Sequence, residues 1–158
     1  MKAKLLYITT LFVIFLSNAN SAEIPNLTAT QNLAGQGDLV SQTNLGLMYY
    51  NGDGVPQSYT KAAEWYRKAA EQGYTRAQNN LGGMYAKGVG VTQNTVLSNE
   101  WLLKAANNGN AMAQFNIGKN YLNGVNGLPK NKVQAINWLK KAANNGHAQA
   151  KLMLAGLQ

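Results

Sequence analysis

Ser58-Tyr59-Thr60-Lys61 sets a hydroxyl three residues ahead of an amine, the spacing at which one class of serine hydrolases places its nucleophile and the lysine that helps to activate it. The K-T-G and S-D-N elements that complete such a site do not occur in the chain. Ser58 also has a simpler use, because it directly precedes a helix-forming stretch whose first amide hydrogens a serine oxygen can accept. It is read as a cap. His147 is the single histidine and there is no cysteine, so a metal would have to rest on Glu23, Asp38, Asp53, Glu64, Glu71 or Glu100, none of which stands at a ligand-like spacing from it. No metal and no cofactor are expected. Gly88-x-Gly90 precedes a helix as phosphate-binding loops do, but no strand leads into it and no lysine follows in the required place. Trp65, Trp101 and Trp138 could stack on bases or sugars if exposed, yet their equal register points to the core.

What positions these residues is a repeat. Leu45-Gly46, Tyr49, Gly52-x-Gly54-Val55, Trp65 and Lys68-Ala69-Ala70-x-x-Gly73 return 36 positions later as Leu81-Gly82, Tyr85, Gly88-x-Gly90-Val91, Trp101 and Lys104-Ala105-Ala106-x-x-Gly109. They return again as Ile117-Gly118, Tyr121, Gly124, Gly127-Leu128, Trp138 and Lys141-Ala142-Ala143-x-x-Gly146, with one residue inserted where Val125-Asn126 lengthens the glycine loop. A fixed period of this length means stacked supersecondary units.

Each unit reads as two antiparallel helices. Ala77, Leu81, Met84 and Tyr85 form one apolar stripe of the first helix. Gly82 lies beside that stripe, where glycine is costly in a helix, so its return as Gly46 and Gly118 implies that a neighbouring helix approaches too closely for a side chain. Gly88-Val89-Gly90-Val91 ends the first helix, since glycine takes left-handed angles readily. Ser58, Asn94 and Asn131 share the N-cap register of the second helix, with Pro56 and Pro129 two residues earlier. Trp65 and Ala69 are expected to share its buried stripe. Gly73, Gly109 and Gly146 end the second helices, and Asp38, Asn110 and His147 can cap the helices that follow.

The L-G-x-M-Y-x-x-G-x-G-V and W-x-x-K-A-A-x-x-G runs resemble Sel-1-like repeats, relatives of the tetratricopeptide repeat, over about Asp38 to Gln158. The resemblance implies an all-α, right-handed superhelical solenoid of antiparallel helix pairs with a period of 36–37 residues. The expected units are 38–73, 74–109 and 110–146, closed by a terminal helix at 147–158. Residues 23–37 keep the spacing but place Ala29 at the tryptophan position, which reads as an N-terminal capping half-unit.

Residues 1–22 carry Lys2 and Lys4, an apolar run from Leu5 to Leu16, and small residues ending Ala19-Asn20-Ser21-Ala22. That is the layout of a cleaved secretory signal, too short to span a bilayer as an ordinary transmembrane helix. The expected location is the periplasm or outside the cell, with no stable membrane insertion after cleavage and no nucleic-acid partner. Beyond residue 22 the charge is uneven: Glu23 to Glu100 hold five basic and six acidic residues, whereas Trp101 to Gln158 hold seven lysines and no acid. A one-signed end draws anionic partners, so Lys130, Lys132, Lys140 and Lys141 form a candidate basic patch for a protein with an acidic surface.

Positions used for packing agree among units, so first-helix positions that disagree are freer to meet a partner. Thr43, Asn79 and Phe115 share one register, Leu47, Gly83 and Lys119 a second, and Tyr50, Ala86 and Leu122 a third. In the family resembled, first helices line the concave face of the superhelix, which extended solenoids use to hold partners. Leu47, Tyr50, Phe115, Lys119 and Leu122 are therefore the candidate partner-binding residues. The resemblance implies a non-catalytic adaptor that binds another protein, with an immunity protein neutralising a secreted toxic effector as its narrower form. A serine hydrolase of penicillin-like substrates, using Ser58, is the alternative.

Overall fold

The computed structural model describes residues 26–157. The expected signal segment at 1–22, residues 23–25 of the expected first half-unit and Gln158 lie outside the described residues. Among the described residues all regular structure is helical: α1 (Leu27–Gly35), α2 (Leu39–Asn51), α3 (Tyr59–Glu71), α4 (Thr75–Lys87), α5 (Thr95–Asn107), α6 (Ala111–Asn123), α7 (Lys132–Asn144) and α8 (Ala148–Ala155). Each helix packs mainly on its neighbours in the chain, the closest pairings being α2 with α3, α4 with α5 and α6 with α7. This is an α/α solenoid of three helical hairpins, with α1 before them and α8 after.

Local chemistry sets the helix boundaries. Ser58, Asn94 and Asn131 each accept the backbone N–H three residues on, from Lys61, Leu97 and Gln134. The same three residues donate their own N–H to the carbonyls of Tyr49, Tyr85 and Tyr121, at 2.8, 3.0 and 2.7 Å, so each loop returns to one register on the first helix. The longer loop of the third unit achieves the same closure because Asn126 takes a left-handed φ of 56° and its amide donates to Asn120 Oδ1 at 3.1 Å. Asp38, Asn110 and His147 cap α2, α6 and α8, whereas Tyr74 precedes α4 without a side-chain cap.

The core is strung along the joints between helices. Leu45, Leu81, Ile117 and Leu139 are fully enclosed, and alanines at 62, 69, 77, 105, 113, 135 and 142 allow the close spacing. Gly46, Gly82 and Gly118 sit at the tightest crossings: a Cβ there would lie 2.7 Å from Tyr66, 2.8 Å from Leu102 and 2.9 Å from Leu139. The close approach expected from their recurrence is therefore present.

The tryptophans correct the sequence reading. Trp65, Trp101 and Trp138 are half-buried, and the enclosed large side chain is the next residue, Tyr66, Leu102 or Leu139. Each indole packs on the edge of a cluster that joins its own unit to the preceding element, and the lysine one turn later covers it: Lys68, Lys104 and Lys141 Nζ lie 4.0, 4.3 and 4.2 Å from the ring centroids. Exposure of the outer ring face is what lets the ammonium sit there while staying hydrated.

A second recurring device joins the units. Gln42, Gln78 and Gln114 are buried at equivalent positions and donate through Nε2 to Ala34, Ala70 and Ala106, carbonyls at the ends of the helices before them, at 3.1, 3.1 and 2.9 Å. Each of these carbonyls also accepts a turn N–H, from Gly37, Gly73 or Gly109, so the glutamine amide takes its second lone pair across the joint. Gln114 also accepts from Asn145 at 2.9 Å. Gln114→Ala is expected to cost ~1–3 kcal/mol, read by urea unfolding, because it removes two hydrogen bonds at a buried joint, one to the Ala106 carbonyl and one from Asn145; a loss under ~0.5 kcal/mol would show that water replaces the amide.

Candidate functional site

The candidate catalytic pair does not assemble. Ser58 Oγ accepts from Lys61 N–H at 3.3 Å as the α3 cap, while the Lys61 ammonium stands over the Tyr49 ring, 5.2 Å from its centroid. A lysine parked on an aromatic face is not placed to take the serine proton. Ser58→Ala is expected to destabilise by ~1 kcal/mol and Ser58→Asp to restore most of it, as for an N-cap; a covalent penicillin adduct on Ser58 would overturn this assignment. Among the described residues no three His, Asp or Glu side chains cluster as metal ligands.

The first helices do share a cleft. A groove of about 220 Å³ runs across α2, α4 and α6, with Leu47 and Tyr50 on one wall, Asn79, Asn80, Gly83 and Lys87 along α4, and Asn116 on the far side. Tyr66 from α3 also lines it, and burial of its phenol pushes the pKa up to about 12. Tyr50 is held upright by an edge-to-face contact with Tyr59, ring centroids 5.0 Å apart. Asn116 Nδ2 donates to Asn79 Oδ1 at 3.3 Å, tying α6 to α4 across the groove.

Of the five candidate residues, the structure brings Leu47 and Tyr50 into this groove. Lys119 and Leu122 lie on α6, exposed and half-buried respectively, outside its lining. Phe115 is a correction. It is 6 % exposed, stacked on His147 with centroids 4.3 Å apart, and packed with Leu139, Ala142, Ala143 and Ala150. Its register varies among units because each unit meets a different follower, and in the third unit that follower, α8, uses the ring as core. Lys130, Lys132, Lys140 and Lys141 are all exposed, in the loop before α7 and on α7 itself. The candidate patch thus belongs to a second helix, apart from the first-helix groove.

Sequence reasoning placed Asn79 in a register free to differ without choosing it, and passed over Asn80 and Asn116. A signal was present, since Asn44, Asn80 and Asn116 each precede the Leu-Gly or Ile-Gly pair. Recurrence was read as packing, but Asn80 and Asn116 line the groove.

Among the described residues no helix is long and apolar enough to cross a membrane. Comparison with known proteins places the architecture. The Sel1 repeat family matches at residues 39–74, 75–110 and 111–147. A Sel1 repeat protein from Oxalobacter formigenes is 40% identical with a TM-score of 0.73, the match covering 83% of this chain and 98% of that one. c5321, a protective antigen present in uropathogenic Escherichia coli strains and displaying an SLR fold, is 39% identical over 77% of this chain but only 26% of its own, again with a TM-score of 0.73. Helicobacter pylori cysteine rich protein B shares the fold at 20% identity and a TM-score of 0.65, over 82% of this chain and 97% of that one. Among proteins of curated function there is no significant match. With three consecutive repeats over more than half its length and the helical hairpins to match, the chain belongs to the Sel1 repeat family.

Proposed function

We propose that this protein is a non-catalytic adaptor that holds a partner protein in the groove of its first helices, outside the cytoplasm. The Sel1 repeat fold suggests a protein-interaction module. The observation that carries the reading is the groove itself, where Leu47, Tyr50, Gly83 and Lys87 occupy positions that packing has left free to differ among units. Secretion rests on the paired lysines and short apolar run at the N-terminus. An immunity protein that neutralises a toxic effector in the periplasm is the narrower form of the same role.

Photocrosslinking separates the faces. A photoreactive residue replaces Leu47 or Tyr50 in the full chain, and in control chains Val96 or Val133, which are exposed on second helices. In cells of the source organism, the groove positions are expected to trap one partner in the envelope fraction and the control positions none. Trapping from the control positions alone, or a chain that stays in the cytoplasm, would overturn the reading.

A further inference from the structure

Three places where one unit departs from its sisters meet in a single pocket. Arg67 stands where the other second helices hold Gln31, Leu103 and Lys140, Thr92 where the other glycine loops hold Pro56 and Pro129, and Leu97 where Lys61 and Gln134 are found. With Tyr85, Val91 and Asn94 they line an open pocket of about 300 Å³ at the joint of the first and second units. Arg67 comes from α3, Tyr85 from α4, Leu97 from α5, and the rest from the loop between α4 and α5. The pocket shares no lining residue with the first-helix groove.

Packing does not ask for this arginine. At the next joint the equivalents of Arg67 and Tyr85 are Leu103 and Tyr121, and both pack on one apolar cluster. Arg67, half-buried, instead donates from Nη2 to the Tyr85 hydroxyl at 3.0 Å. That bond occupies one N–H of the guanidinium fork, and it leaves Tyr85 its own O–H to donate elsewhere. The lining holds no carboxylate, so Arg67 is its only charge, and Val91 and Leu97 put apolar surface beside it.

We infer that this pocket seats one carboxylate carried on a compact apolar group, the chemistry of an apolar amino acid's carboxyl end, whether free or closing a peptide. The guanidinium fork matches a carboxylate, whose two oxygens accept parallel N–H bonds. The hydroxyls of Tyr85 and Thr92 stand on the same lining to donate to the remaining lone pairs. Asn94 is the N-cap of α5, so the positive end of that helix lies at the same wall and favours an anion. A single arginine suits a monoanion, because a phosphate dianion would keep an unpaired charge beside Val91 and Leu97. The volume is at the small end of ligand sites, which fits one amino-acid side chain rather than a larger body.

The test is titration of the full chain with N-acetyl-leucine, its uncharged amide, acetyl-glycyl-glycyl-leucine and inorganic phosphate, read by NMR at the Arg67 Nε–H and the Thr92 backbone amide. N-acetyl-leucine is expected to shift both resonances saturably in the millimolar range, with its amide and phosphate at least tenfold weaker. Arg67→Leu, which copies the next unit, should weaken binding at least tenfold, read at Thr92, with the melting temperature unchanged or raised. Tyr85→Phe should weaken it several-fold. A glycyl peptide that binds as tightly as the acid or tighter would identify a peptide's chain end as the source, and one that binds more weakly would identify a free acid. No saturable shift, equal affinity for the amide or for phosphate, or full binding to Arg67→Leu would each overturn the seat. So would a fall in melting temperature for Arg67→Leu together with undiminished binding to Tyr85→Phe, since Arg67 would then be a strut of the joint.

Discussion

Phe115→Ala is expected to cost ~3–5 kcal/mol, the range for deleting a buried phenylalanine ring. The ring is enclosed by α7 and α8 and stacks on His147, whose Nδ1 accepts from Ala150 N–H at 3.3 Å to cap α8. Truncation therefore removes both a core side chain and the surface that holds the cap residue in place. Stability in a solenoid is close to a sum over units and their joints, so the loss should be local. Hydrogen exchange is expected to quicken first in α8 and α7, with α2 and α3 unchanged, ahead of any global transition. A variant that keeps its stability and instead loses partner binding would return Phe115 to the binding surface.

Phe115 also shows where the sequence stops being informative. Comparing units tells which positions share a register, but not which neighbour covers that register at the end of the array. The same limit applies to Trp65, Trp101 and Trp138: equal spacing implied equal burial, and all three are indeed alike, yet they are alike in being half-buried. Burial of the following residue, Tyr66, Leu102 or Leu139, follows from the angle at which helices cross, which no linear spacing states. Caps and helix-ending glycines were legible because their chemistry is local. Ser58, Asn94 and Asn131 bond three residues ahead, and Gly52, Gly88 and Gly124 need only their own φ. The groove was half legible. Leu47 and Tyr50 emerged as positions where units differ, while Asn80 and Asn116 were hidden because they agree. Agreement among units marks a shared environment, and a groove that crosses several units is as much a shared environment as a core.

Gly90→Ala is expected to be among the most damaging single-methyl additions in the chain. Two costs combine there and can be separated by its counterpart in the third unit. Gly90 has a φ of 69° and Gly127 a φ of 76°, so alanine at either must adopt left-handed backbone angles, at ~1–2 kcal/mol. A Cβ on Gly127 would find only Thr95 Oγ1 at 3.6 Å and Asn99 Nδ2 at 3.9 Å, ordinary contacts. On Gly90 it would run into the backbone carbonyl of Tyr59, the first residue of α3, which cannot turn aside as a side chain can. The second unit's loop would have to lift from the first unit's helix, an overpacking cost of typically ~1–3 kcal/mol. Gly127→Ala should therefore lose ~1–2 kcal/mol, from backbone strain alone. Gly90→Ala should lose more by the overpacking amount, about 3 kcal/mol in total, and loosen the joint between α3 and α4. Urea unfolding of the two variants side by side measures the difference directly. Equal losses would mean that only the left-handed backbone matters and that the loop does not brace one unit against the next.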